Sequence, residues 1–265
     1  MDKAPRIQAA WRWPALLGLH LLAFALLASW IPEAGRQVWR EAGTHFFLAL
    51  HGTLGHNALW DALWALCSTR LWDILVGALM LALLLHHGWA FRGAESRRAL
   101  FHVLALMLIL VLLRTVFSKL VGHMHWQHAS PSELIPGSYR LSDAFPGLER
   151  VFEVKDRSSR SFPGDHASVL FAWGLFMACF CRGWKLWASL ALVLFCTLPR
   201  LMAGAHWLED VAVGGVLLAA LAFAWGYCTP LAGFVAAGLE RCSQPLLPWL
   251  QRLPAVGRWG VLQRR

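Results

Sequence analysis

Apolar positions along the chain gather into six long runs, near residues 14–31, 71–87, 99–118, 166–181, 185–200 and 207–227, and most of the charge lies between them. Each run approaches the roughly 20 apolar residues that a helix needs to cross the hydrocarbon of a bilayer. The pattern predicts six transmembrane helices in an all-α, polytopic membrane protein, read as a single membrane domain over residues 1–265. Lys3, Arg6 and Arg12 precede the first run, and no A-x-A-like cleavage site clearly follows it. That run is therefore read as a span and not as a signal peptide. Residues 45–68 differ. They mix His51, His56, Asn57 and Asp61 with Phe, Trp and Leu, a pattern that suits helices lying in the membrane interface.

Six spans place both termini on one side. Arg92, Arg97, Arg98, Arg182 and Lys185 fall in the short connections on that side, and Arg241, Arg252, Arg258, Arg264 and Arg265 in the tail. The positive-inside rule makes that side cytoplasmic. Segments 32–70 and 118–165 then face the periplasm, and the second is long enough to carry function.

Composition agrees with a membrane protein. Of the 265 residues, 58% are hydrophobic and 15% charged, and the mean hydropathy is +0.50, too apolar for an ordinary soluble domain. Sixteen Trp against two Tyr fit indole anchors at the headgroup level. The net charge of +9 admits a cytoplasmic face, contact with anionic lipid, or an anionic substrate. The basic residues form no single stripe, which argues against nucleic acid. Six Cys without a zinc-like CxxC spacing read mostly as buried small hydrophobes.

Two polar motifs stand beside these runs on the predicted periplasmic side, where titratable groups near lipid need a function. In "PRLMAGAHWLEDVAVG", His206 and Asp210 are four apart and share one helix face. An Asp that accepts from one imidazole nitrogen fixes the tautomer and frees the other nitrogen to attack. Arg200 ends the fifth run, and its guanidinium fits a fork onto phosphate oxygens. In "SRSFPGDHAS", Pro163-Gly164 makes a turn, Asp165 caps a helix, and His166 stands at its start. Two helix N-termini, each with a His, would form a phosphate cradle in which one His attacks and the other protonates the leaving oxygen. A snorkelling interface pair is the bland alternative. No HExxH or Cys/His ligand spacing appears, so neither a metal nor another cofactor is expected.

Pro163-Gly164-Asp165-His166 and Arg200-(five)-His206-(three)-Asp210 resemble motifs two and three of the type 2 phosphatidic acid phosphatase superfamily. Its members are six-helix membrane enzymes that cleave lipid phosphate esters through a phosphohistidine. The usual second motif reads Pro-Ser-Gly-His; the Gly-Asp variant here, with "HASP" upstream and "CTPL" after the last run, is similar to an inner-membrane subgroup. That subgroup moves the terminal phosphate of undecaprenyl diphosphate onto the 1-phosphate of lipid A. The resemblance implies His206 as nucleophile, Asp210 as its orienter and His166 as the acid. It also implies that Arg200, Arg160, Ser161, Gly164, Asp165, His128 and Lys119 bind substrate phosphate. The first family motif is Lys-(six)-Arg-Pro. Here Lys119 is two positions too far away and His128 takes the place of Arg, so Arg157 or Arg160 is expected to supply the missing charge.

The resemblance implies an undecaprenyl-diphosphate:lipid A phosphotransferase, and the same half-reaction serves a lipid phosphate phosphatase with water as acceptor. A channel or transporter is the non-enzyme alternative, disfavoured because the charges cluster at one face and do not line a span. Asp61 and Asp73 flank Arg70, where a local ion pair is expected, and Arg114 is read as a packing or snorkelling residue.

Overall fold

A computed structural model describes residues 7–92 and 94–246. Lys3, Arg6, Arg252, Arg258, Arg264 and Arg265 lie outside the described residues. Twelve α-helices follow in chain order among those described: α1 Trp13–Trp30, α2 Glu33–His51, α3 Ala58–Cys67, α4 Arg70–Leu85, α5 Ala94–His123, α6 Pro131–Leu134, α7 Leu141–Ala144, α8 Pro146–Phe152, α9 Asp165–Phe180, α10 Trp184–Met202, α11 Val216–Tyr227 and α12 Leu231–Ser243. A π-helical turn, Asp210–Gly215, leads into α11. The described residues contain no strand, only one isolated bridge between Thr69 and Val154.

Each of the six apolar runs holds a helix. Four segments are long and apolar enough by themselves to cross a membrane: Trp13–Trp30, Glu95–His123, Trp184–Met202 and Asp210–Tyr227. The chain is thus a multi-pass membrane protein. The other two runs are occupied by the 16-residue helices α4 and α9. Burial ranks the spans. Asp210–Tyr227 is 72% buried and forms the hub, whereas Trp13–Trp30 is 17% buried and turns Leu17, Leu21 and Phe24 outward. Around the hub pack α1, α5 and α9, and Leu106, Leu110, Trp173, Phe176 and Phe223 fill the shared core. Residues 33–67 hold the two helices α2 and α3. The Asn57 side chain caps α3 by accepting from Leu59 N and Trp60 N, and α3 leaves Leu59 and Leu63 exposed. Four of the six cysteines are buried and Cys179 partly so, but Cys242 is exposed, because it lies near the end of the amphipathic α12.

The two ends of the bundle carry different chemistry. At one end Arg12 donates to Tyr227 O, Lys185 to Gly88 O, and Arg97 pairs with Glu240. The start of α4, the end of α5, the start of α9, the end of α10 and the π turn meet at the other. There the Phe162–Pro163 peptide is cis, and the Pro163-Gly164 loop lies directly on the π turn. Gly164 N donates to Asp210 O at 2.9 Å. A Cβ on Gly164 would stand 2.6 Å from that same oxygen, and one on Gly214 2.7 Å from Pro163 Cβ. Glycine at both positions is what lets the two motifs touch through their backbones.

Gly164→Ala should therefore push the loop off the π turn and lower stability by about 1–3 kcal/mol, the usual range for overpacking. Thermal unfolding in detergent checks this against Gly238→Ala, where nothing stands within 4 Å. Equal midpoints for the two variants would contradict the close approach.

Candidate active site

The polar end of the bundle encloses a cavity of 460 Å³. Arg70, Arg114, Lys155, Arg157, Arg160 and Arg200 line it, with Asp73 and Asp165 as the only carboxylates among the described residues. Such an excess of cations around a low-dielectric space favours an anion. Val76, Gly77 and Met80 of α4, with Val169 and Leu170 of α9, form the remaining wall. The chamber is charged at one end and apolar at the other, as the headgroup and first methylenes of a lipid phosphate require.

His206 enters from the turn between α10 and the π turn. Its Nδ1 lies 3.3 Å from Asp210 Oδ2, and the Trp207 N–H donates to that oxygen at 2.8 Å. Asp210 itself is fully buried. With Nδ1 facing the carboxylate, Nε2 points to the cavity, 3.8 Å from Asp165 Oδ1. Arg114 holds Asp165 at 2.8 Å and offsets its charge beside the anion chamber.

His166 sits in the first turn of α9. Its Nε2 lies 3.0 Å from the Cys196 carbonyl, and its Nδ1 3.5 Å from Asp73 Oδ1. The other oxygen of Asp73 accepts from Arg200 at 2.5 Å. Arg200 also donates to Ser68 O at 2.9 Å and Lys155 O at 3.3 Å. A single buried guanidinium thus ties α10 to the start of α4 and to the loop before α9. The planar, five-donor fork makes this possible where an ammonium would not.

His206, His166, Asp210, Arg200, Arg160 and Asp165 come together at this end. Four other residues expected at phosphate stand elsewhere. Lys119 is exposed on α5 and does not line the cavity. Ser161 is fully buried and donates its hydroxyl to His128 O at 3.2 Å. Gly164 packs against Asp210 through its backbone, as described above. His128 binds Asp210 Oδ1 at 2.9 Å and lines a separate cavity behind that carboxylate.

Sequence reasoning missed Asp73 and misread Arg114. The local ion pairs expected for Arg70 do not form: Arg70 pairs with Glu153, Asp61 accepts from Gly55 N, and Asp73 serves the cavity. Asp73 and Arg114 each lie inside an apolar run, and their partners are 127 and 51 positions away. The remaining signal was their position, one turn into α4 and toward the polar end of α5, where an unpaired charge in lipid would be expensive.

Residues 136–233 match the model of the PAP2 superfamily. The chain is 27% identical over 229 residues to lipid A 1-diphosphate synthase of Escherichia coli (strain K12), an alignment that covers 82% of this chain and 89% of that protein. No solved structure gives a significant match. Residues 136–233 are thus similar to the PAP2 superfamily, and the chain is an enzyme of the phosphatase or phosphotransferase type.

Arg200→Lys should keep the charge but lose the three-way tie, lowering stability by about 1–3 kcal/mol, the range for hydrogen bonds to a charged group. Arg157→Lys, on the cavity rim, should leave the unfolding midpoint unchanged. The comparison is thermal unfolding in one detergent, and an Arg200→Lys midpoint equal to wild type would contradict the assignment.

Proposed function

We propose that the protein transfers the terminal phosphate of undecaprenyl diphosphate to the 1-phosphate of lipid A. The observation that supports this best is His206, oriented by a buried Asp210, with its free nitrogen facing a cation-lined chamber that has an apolar wall. The similarity to a lipid A 1-diphosphate synthase along 82% of the chain supports the choice of substrates.

In the first half-reaction the Nε2 lone pair of His206 attacks the terminal phosphorus. The bond from that phosphorus to the bridging oxygen breaks, and undecaprenyl phosphate leaves. His166, whose Nε2–H stays on the Cys196 carbonyl, gives the proton of Nδ1 to that oxygen as the bond breaks. Asp210 keeps the proton on Nδ1 and stabilises the imidazolium that forms. Arg200, Arg157 and Arg160 neutralise the charge on the transferring phosphoryl oxygens. In the second half-reaction an oxygen of the lipid A 1-phosphate attacks the phosphohistidine. His166 takes the proton from that oxygen, and His206 is released. Lipid A 1-diphosphate is the product, and both histidines return to their starting states. Asp73 holds Arg200 and His166 in register for both halves.

The reading includes topology. All six helices in the apolar runs cross the bilayer, with α4 and α9 extended by their flanks. Arg92, Arg97, Arg98, Arg182, Lys185 and Arg241 lie at the cytoplasmic end. The chamber then opens to the periplasmic face of the inner membrane, where both lipids present their phosphates.

The test uses purified protein and undecaprenyl diphosphate labelled in its terminal phosphate, with and without lipid A, products resolved by chromatography. Label should move to lipid A in wild type, and His206→Ala should reduce turnover by at least about 10⁴-fold while still inserting, as loss of a nucleophile does. Label released only as inorganic phosphate would make the enzyme a phosphatase and overturn the acceptor assignment.

A further inference from the structure

We propose that His128 is a positioning residue, which holds the far oxygen of Asp210 so that the near oxygen is presented to His206. The inference rests on the reading of His206 as nucleophile. The site is then a His–Asp–His array spanning the loop before α6 and the π turn, not a His–Asp pair.

Asp210 is fully buried and its two oxygens are used unequally. Oδ2 takes the Trp207 N–H at 2.8 Å and His206 Nδ1 at 3.3 Å, whereas Oδ1 takes, among the described residues, only His128 Nε2, at 2.9 Å. A buried carboxylate oxygen without a donor is strongly unfavourable. Removing His128 would leave Oδ1 in that state, and the carboxylate could satisfy it only by turning away from His206.

The ring of His128 is itself fixed from several sides. Its backbone carbonyl receives Ser161 N at 2.9 Å and the Ser161 hydroxyl at 3.2 Å. Phe162 stands tilted against the imidazole, centroid to centroid 5.9 Å, and stacks on Trp30 at 4.4 Å. Ser161 and Phe162 belong to the second motif and Asp210 to the third. His128 joins them through one side chain and does not line the phosphate chamber.

Charges surround the ring. Asp210 is in contact and Glu209 stands beside it. Arg36, Arg40 and Glu33 of α2 and His125 of the same loop line the 340 Å³ cavity behind it. Burial pulls the His128 imidazole down, but the Asp210 hydrogen bond and charge outweigh it, and the net shift is upward from the ordinary value. The sign follows. Stabilisation from the charged pair is complete below about 6.5, the unfolded histidine value, and is lost as pH rises through the folded value. While His128 is protonated it offsets Asp210. Once it is neutral, His206 feels the full carboxylate charge, and kcat should step upward.

The experiment compares wild type with His128→Ala, His128→Gln and His128→Asn. Gln reaches the Nε2 position with an N–H that does not titrate, whereas Asn reaches only the Nδ1 position. His128→Ala should lower kcat about 10- to 100-fold, as loss of a charged, buried hydrogen bond does, with KM unchanged. Gln should restore kcat to within about 3-fold of wild type, a residual cost of under a kcal/mol, and abolish the pH step, while Asn should not. If the Ala variant does not fold, the Gln–Asn difference and the missing step still decide. A raised KM with unchanged kcat would place His128 at phosphate and overturn the proposal, as would equal behaviour of Gln and Asn. His206→Ala runs beside them: if it stays active, the nucleophile reading has failed, and if it is dead while His128→Ala is normal, only the present inference has.

Discussion

A fully buried carboxylate, Asp210, sets the terms for the polar end of the bundle. A charge without water must be met by donors on every side. Here the donors are an imidazole from the loop before α6, an imidazole from the turn after α10, and a backbone N–H one helical turn upstream. The carbonyl of the same residue receives Gly164 N. Three separate stretches of chain, around His128, Gly164 and His206–Asp210, therefore have to meet at one residue. The π-helical turn supplies the extra backbone room that a regular helix would lack, a common device at functional sites.

A second buried charge repeats the pattern a few residues away. Arg200 needs acceptors as Asp210 needs donors, and it finds them on α4 and on the loop before α9. The two networks flank the chamber, and each fixes one of its histidines. Among the described residues, the side chains of Arg157 and Arg160 at the rim have no such ties and remain available to a ligand. Rigid charges at the back and free ones at the front suit the proposed transfer, in which a phosphoryl group is held still between donor and acceptor.

Apolar runs marked six helices, because a residue facing lipid or the hub has no polar option, but not the more polar α2 or the short α12, and two spaced motifs marked His166, Arg200, His206 and Asp210. Local pairing of charges failed. Asp73 looks like a partner for Arg70 three residues earlier, yet it binds Arg200, because burial and not sequence distance decides which cation most needs an anion. His128 looks like a stand-in for a phosphate-binding Arg, yet it serves Asp210. Gly164 looked like part of a phosphate loop and is instead a point of backbone contact. Each of these depends on a pairing between distant segments, and residues 136–233, which carry the family match, exclude Asp73, Arg114 and His128.

The central claim is that His206 carries the phosphate. Rapid quenching of the enzyme with labelled undecaprenyl diphosphate at neutral pH, followed by peptide mapping under alkaline conditions, tests it directly. The account expects one acid-labile, alkali-stable phosphohistidine on the peptide containing His206, absent from His206→Ala and discharged when lipid A is added. A label on His166 or His128, or undiminished turnover with no phosphoenzyme at any time, would contradict it.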